Sequence, residues 1–243
     1  MDPEATHPEL LEALATARTI HRYRTDPVPE EDLGRILHAA TRAPSGSNAQ
    51  PFRFLVLRDG EETQRARTLL GDSFRSNWSR KSSDEGWRKG SGLDPDSPKA
   101  RTARVMQRFV DEFERIPVIV LACYQRYDSP GFYDGASIYP ACQNLFLAAR
   151  ALGYGACFSV WHVGAEKQLK ELLGIPEPVS IALTITLGRP EGRHGPLRRR
   201  PVADLVYEGH WEQPAPWVHD PPDSRFSRSG PPTSARSRSR RES

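Results

Sequence analysis

Residues 139–152 (YPACQNLFLAARAL) are apolar almost all the way round at helical spacing. Such a helix has no polar face to give to water, so it belongs at the centre of a protein or in a subunit interface. On either side of it lie two continuously apolar runs, 117–123 (PVIVLAC) and 179–187 (VSIALTITL). Both are rich in β-branched residues and read as strands buried on both faces. The longest apolar run, 116–124, is nine residues and contains Pro117, far too short to span a bilayer, so no membrane partner is expected.

The rest of the chain supplies the layers around that centre. Residues 8–18 read as a short helix with Leu10, Leu11 and Leu14 on one face. Pro29 opens a second helix with Glu30, Glu31 and Asp32 in its first turn, where acidic side chains oppose the positive end of the dipole. Its stripe is Leu33, Ile36, Leu37 and Ala40, and it stops before the turn-forming run 43–48 (APSGSN). Residues 52–57 form a strand and 61–70 a helix. The polar, Gly- and Ser-rich stretch 72–100 carries Trp78 and Trp87 and is expected to be a lid or substrate-binding excursion. A helix over 102–115, an extended segment over 154–161 and a helix over 166–173 follow, and the ordered part is expected to close with 204–211. Helices and strands alternate without Gly-rich phosphate turns between them. The fold class is therefore α+β, a sheet of four or five strands packed by helices.

Charge is uneven. Residues 221–243 hold six Arg against Asp223 and Glu242, or +4, which leaves the remainder at −1 of the overall +3. This tail has seven Ser, four Pro and one aromatic residue, cannot offset its ordering entropy, and is expected to be disordered. The domain is thus 1–220 with a tail from 221. Cys123, Cys142 and Cys157 are odd in number, far apart and in apolar contexts, which points to buried reduced thiols and no metal site. The first twenty residues carry Asp2, Glu4, Glu9 and Glu12 and lack a basic-then-apolar start, so a cytoplasmic location is expected.

Most chemical signatures fail. Gly153 and Gly155 lack the third glycine of a dinucleotide fingerprint, and there is no GxxxxGK[ST], HExxH or GxSxG. Three clusters remain. Arg18, His21 and Arg22 follow the first helix, and Arg198, Arg199 and Arg200 lie far downstream. Arginine forks suit bidentate phosphate binding, although either cluster also reads as a solvated charged loop. The third, 44–52 (PSGSNAQPF), offers exposed backbone N–H groups and the Asn48 and Gln50 amides. It could read a flat heteroaromatic ring, or it is an ordinary helix-to-strand loop.

The run ARTIHRYRTDPVPEEDLGRILHAATRAPSGSNAQPFRFLVLRD closely resembles the N-terminal block of the FMN-dependent nitroreductase family. The runs ASIYPACQNLFLAARALGYGACF, LLGIPEPVSIALTITLGRP and RRRPVADLVYEGHW resemble its central helix and strand, its last strand and its Arg-containing C-terminal segment, in the family's order. The resemblance implies a mostly antiparallel sheet of four to five strands and a homodimer with FMN at the interface, each site built from both chains. Arg18, Thr19 and Arg22 match the phosphate-binding segment. Pro44, Ser45 and Gly46 match the loop along the flavin, and Asn48 the amide that addresses it. Phe158 and Ser159 match the stretch facing the ring, and Arg198 and Arg200 the C-terminal cations at the phosphate. The chain departs from the pattern at Ala17, where Arg is frequent, so whether His21 or Arg22 meets the phosphate stays open. It also has Phe52 where Trp is common, and 72–100 matches nothing in the family.

By that resemblance FMN carries the chemistry and the protein supplies position and electrostatics. NADPH or NADH gives hydride to the flavin and leaves, and a small-molecule oxidant (nitroaromatic, quinone or enone-like) then takes the electrons in a ping-pong cycle. No protein acid or base is required, so no catalytic residue is named. Trp78, Trp87 and Trp161 are candidates for a cover over the ring. The rivals are a specialised flavoenzyme of the same fold (reductive dehalogenase, azoline dehydrogenase or flavin-fragmenting enzyme) and a non-catalytic flavin or nucleic-acid binder using the basic tail. Binding of nucleic acid by that tail would be weak and salt-sensitive, and is not the expected partnership.

Overall fold

The computed structural model describes residues 9–126, 131–222 and 224. The expected tail from 221 lies outside the described residues apart from Pro221, Pro222 and Ser224. The chain divides into two compact units, 1–194 and 195–243.

The first unit is built on a four-stranded, wholly antiparallel sheet in the order β1-β2-β4-β3. Its strands are β1 (Phe52–Leu57), β2 (Val118–Gln125), β3 (Gly155–Ser159) and β4 (Val179–Gly188). The helices are α1 (Leu10–Thr16), α2 (Glu30–Ala40), α3 (Glu61–Asp84), α4 (Pro98–Asp111), α5 (Gly135–Ala151) and α6 (Glu166–Leu173). Successive side chains of a strand point to opposite faces. Val118, Val120 and Ala122 therefore enter the core under α2 and α5, while Ile119, Leu121 and Cys123 enter the core under α3, α4 and α6. Helices on both faces explain why β2 is apolar from Val118 to Tyr124 although its neighbours are antiparallel. A register shift between Ala122 and Cys123 bends the sheet at this point.

The helix expected at the centre, α5, buries Ile138, Ala141, Cys142, Leu145 and Ala149 against the sheet and leaves Tyr139 half exposed. Leu10, Leu11 and Leu14 of α1 are exposed as well. All three cysteines are buried and free.

The expected helix bounds on either side of 72–100 need correction. α3 does not stop at Leu70 but runs to Asp84, with Leu70, Phe74, Trp78 and Ser82 buried at four-residue spacing along one stripe. Gly71, which reads as a breaker, sits inside this helix because a Cβ there would lie 2.1 Å from the Glu114 carboxylate. Glu114 is paired with Arg75 at 2.7 Å. α4 also starts earlier than expected: Pro98 occupies its first turn and the Ser97 hydroxyl accepts from the Ala100 N–H at 3.0 Å. Between the two helices, 85–97 holds one 3-10 turn (Gly90–Leu93), and Trp87 there packs on Trp78 with ring centroids 5.9 Å apart.

The second unit contains a 3-10 turn (Val202–Asp204) and an isolated bridge between Tyr207 and Pro214. Trp217 Nε1 donates to Glu208 at 3.1 Å.

Candidate functional site

The segment between α1 and α2 is held along β3 and the end of β4 by a chain of backbone hydrogen bonds. Ile20 N–H donates to Ala156 O at 3.0 Å, Arg24 N–H to Arg189 O at 2.8 Å, and Glu191 N–H to Arg22 O at 3.0 Å. The Tyr23 hydroxyl donates to Ile20 O at 2.7 Å and lies 2.9 Å from the Thr186 hydroxyl, clamping the segment to β4. Gly155 permits the approach, since a Cβ there would lie 2.5 Å from Ile20 Cγ1. Sequence reading discarded this glycine with a failed dinucleotide motif, and its use is steric.

His21 turns inward from this segment. Its ring packs edge-on against Phe109 with centroids 4.9 Å apart, and Nε2 lies 3.5 Å from the Cys157 thiol. Burial, with the Arg18 charge adding to it, lowers the His21 pKa to about 4, so the imidazole is neutral at physiological pH. Arg18, Thr19 and Arg22 are exposed on either side of it.

His21 and Phe109 wall two cavities. One, of about 380 Å³, is polar and is lined by Arg22, Arg24, Arg108, Arg115 and Glu191 among others. Arg108 is committed there to a bidentate pair with Glu191 at 2.8 Å, whereas the Arg22 and Arg115 guanidinium groups have no partner among the described residues. The other, of about 470 Å³, is walled by Trp78, Trp87, Met106, Phe109 and Trp161, and Phe158 and Ser159 lie on it. The structure therefore gathers His21, Phe158 and Ser159 on one cavity, with Arg22 on the adjoining one.

The end of β3 is fixed from below. Ser159 Oγ accepts from Trp161 N–H at 3.1 Å, and Trp161 O accepts from Ser73 Oγ at 2.5 Å and Asn77 Nδ2 at 3.3 Å. His162 lies beneath, with Nε2 2.8 Å from Ile181 O and Nδ1 3.1 Å from the Thr184 hydroxyl. A carbonyl can only accept, so Nε2 carries the proton and Nδ1 accepts from Thr184. Burial lowers the His162 pKa and keeps this neutral tautomer. Phe158 itself packs on Phe146 of α5, centroids 4.9 Å apart. The support given by Ser73, Asn77, His162 and Thr184 was not legible, because no motif links four residues so far apart.

Pro44, Ser45, Gly46 and Asn48 occupy the loop before β1. Three non-glycine residues there, Ser47, Asn48 and Gln50, have left-handed φ of 49°, 54° and 49°. Gln50 N–H donates to Ser45 Oγ at 3.0 Å, and Gly46 N–H reaches Ser137 Oγ of α5 at 3.3 Å. The loop adjoins β1, whereas Phe158 and Ser159 lie on β3, with β2 and β4 between them. One chain therefore presents these two parts at opposite edges of its sheet. Arg198 and Arg200 lie in the second unit.

Among the described residues no cluster of His, Cys, Asp and Glu could hold a metal ion, and no helix is long and apolar enough to cross a membrane.

Residues 14–189 match the nitroreductase family. A protein of Archaeoglobus fulgidus, provisionally named an NADH dehydrogenase/NAD(P)H nitroreductase, is 30% identical over 187 residues, which is 75% of this chain and 86% of that one. Iodotyrosine deiodinase 1 of Rattus norvegicus is 24% identical over 207 residues, 82% of this chain and 68% of that one. A solved structure from Desulfovibrio desulfuricans, provisionally named a nitroreductase and in complex with FMN, is 25% identical, with a TM-score of 0.60 over 85% of this chain and 99% of that one.

Proposed function

The chain belongs to the nitroreductase family, and on that basis we propose that it is an FMN-dependent oxidoreductase that takes hydride from NADH or NADPH and reduces a small aromatic or quinone-like molecule. The observation that carries this is the pair of cavities on either side of His21. FMN has a flat, largely apolar ring and an anionic end. The larger cavity has aromatic walls, and its volume lies in the usual range for small-molecule and cofactor sites, roughly 300–1,000 Å³. The smaller one is lined by arginines, two of them without a partner among the described residues.

When bound, FMN would supply reversible two-electron chemistry, with donor and oxidant served in separate half-reactions. The residues of the chain do the rest. Arg18, Thr19 and Arg22 would hold the phosphate by charge-assisted hydrogen bonds. Phe158 and Ser159 form one wall for the ring, and Pro44, Ser45, Gly46 and Asn48 form the other from a second copy of the chain. A twofold-symmetric homodimer in which the β1 edge of one protomer meets the β3 edge of the other would satisfy this requirement. His21 is neutral, so the phosphate contact falls to Arg22. The His21 ring excludes water from the cavity wall and presents no competing charge.

The test is the visible spectrum of the freshly purified protein, followed by anaerobic addition of NADPH. Flavin bands that bleach support the reading. A protein that stays colourless after incubation with FMN overturns it.

The similarity to iodotyrosine deiodinase 1 favours one variant of this reading, reductive dehalogenation of an aromatic substrate. A tail-dependent nucleic-acid binder is distinguished by deleting residues 221–243. The enzyme keeps flavin and turnover after that deletion, and a binder of that kind loses its binding.

A further inference from the structure

We propose that the α3–α4 side of the larger cavity, across from the Phe158 and Ser159 wall assigned to the flavin ring, selects planar aromatic molecules that carry an anionic substituent, with Trp78, Trp87 and Phe109 contacting the ring and Lys81 supplying the counter-charge. This deepens the oxidoreductase reading by naming the class of its substrate. Its turnover consequences rest on that reading, and its binding consequences do not.

The aromatic walls are pinned before any ligand arrives. Trp78 is 3% exposed and donates its indole N–H to Gln107 Oε1 at 3.0 Å, and Trp87 donates to Glu85 Oε2 at 2.9 Å. Both indoles have spent their only donor, so what they offer a ligand is ring surface. Rings fixed in this way lose little entropy on binding.

Ring surface alone does not fix the charge of the ligand, because aromatic boxes commonly take cations. The cavity lining decides against a cation here. Among the described residues no Asp or Glu lines it, and the one permanently charged side chain on it is Lys81. Burial keeps His21, the other titratable base on the wall, neutral, and holds the Cys157 thiol protonated by raising its pKa to about 12. A cation entering this cavity meets Lys81, while the Glu85 carboxylate lies outside the lining and is engaged by the Trp87 indole N–H. An anion meets an ammonium with no ion-pair partner among the described residues. Lys81 follows Trp78 by three residues on α3, which puts both on one face of the helix. The charge therefore sits at the rim beside the ring contact, where a substituent on a bound ring would reach it. Thr102, on the α4 side, already donates its hydroxyl proton to Pro98 O at 2.9 Å and offers no competing donor.

The test compares 4-nitrobenzoate with its neutral counterpart 4-nitrobenzamide by titration calorimetry. It uses the full-length chain loaded with FMN, or the FMN-free chain if no flavin is retained. The benzoate is expected to bind roughly tenfold tighter than the amide, the value of one charge-assisted contact. Lys81→Met, which keeps the aliphatic stem, should bring the ratio to about one, and Lys81→Arg should restore it. Lys81 is exposed, so neither change threatens folding. Equal binding of the two probes by the unaltered protein, or a preference that survives Lys81→Met, overturns the proposal. The flavin absorbance of the same samples reports separately on the oxidoreductase reading, so the failure of one is distinguishable from the failure of the other.

Discussion

Replacing Gly155 by Ala tests how the arginine segment is held. The new Cβ would stand 2.5 Å from Ile20 Cγ1 and 2.9 Å from Ile20 Cβ. Carbon atoms normally approach to about 3.5–4.0 Å, so the Ile20 backbone must retreat by about 1 Å. Overpacking of that kind costs about 1–3 kcal/mol. The retreat also strains the 3.0 Å bond from Ile20 N–H to Ala156 O, worth about 0.5–1.5 kcal/mol. A total near 2–4 kcal/mol should lower the urea midpoint by about 1 M. Because Arg18 and Thr19 move with Ile20, FMN affinity should fall at least about tenfold, measured by flavin fluorescence titration. Gly153→Ala is the control. It has φ of 79° and open space around it, so Ala there costs about 1–2 kcal/mol of backbone strain without touching Ile20. It should lower the midpoint and leave FMN affinity unchanged. A Gly155→Ala protein with both midpoint and FMN affinity unaltered would refute the idea that this contact positions the segment.

Acidification should destabilise the protein through His21. Its pKa is about 4 when folded and near the ordinary 6.5 when unfolded, so between these values the unfolded chain binds the extra proton. Stability is therefore full above pH 6.5 and falls as the pH drops toward 4, by about 3 kcal/mol for this residue. Urea midpoints across that range should show the slope, and His21→Gln should flatten it. The lowered pKa values of His162 and His194 act in the same direction. Cys123, Cys142 and Cys157 have thiol pKa values raised by burial to about 11, 12 and 12, so a disulfide reagent near pH 8 should leave the native protein unlabelled and react with all three after denaturation. Rapid labelling of any one of them in the native state would contradict the buried placement.

Much of the sheet was legible because its signals are local. Phe52–Leu57 and Glu166–Leu173 have the bounds their patterns predict, and Val118–Gln125 and Val179–Gly188 differ from prediction by a residue or two at their ends. α3 was misread beyond Leu70 because Gly71, Ser73, Ser76 and Asn77 look like loop formers. Only the packing of Gly71 against Glu114 and of Ser73 beneath Trp161 explains their presence in a helix. At the site, the residue types of the arginine segment and the 44–48 loop could be read from the chain. The inward turn of His21 could not, since it depends on Phe109 and Cys157, far away in sequence.

By itself the sequence determined the α+β class, the order of helices and strands, the buried thiols and the family, because each of these is carried by periodicity or by contiguous residues. Tertiary structure alone decided which histidine is neutral, which glycine serves close packing and which aromatic rings share a cavity with Lys81. Those are properties of desolvation and contact between residues distant in the chain. No local pattern encodes them until the sheet and its two helical layers bring the residues together.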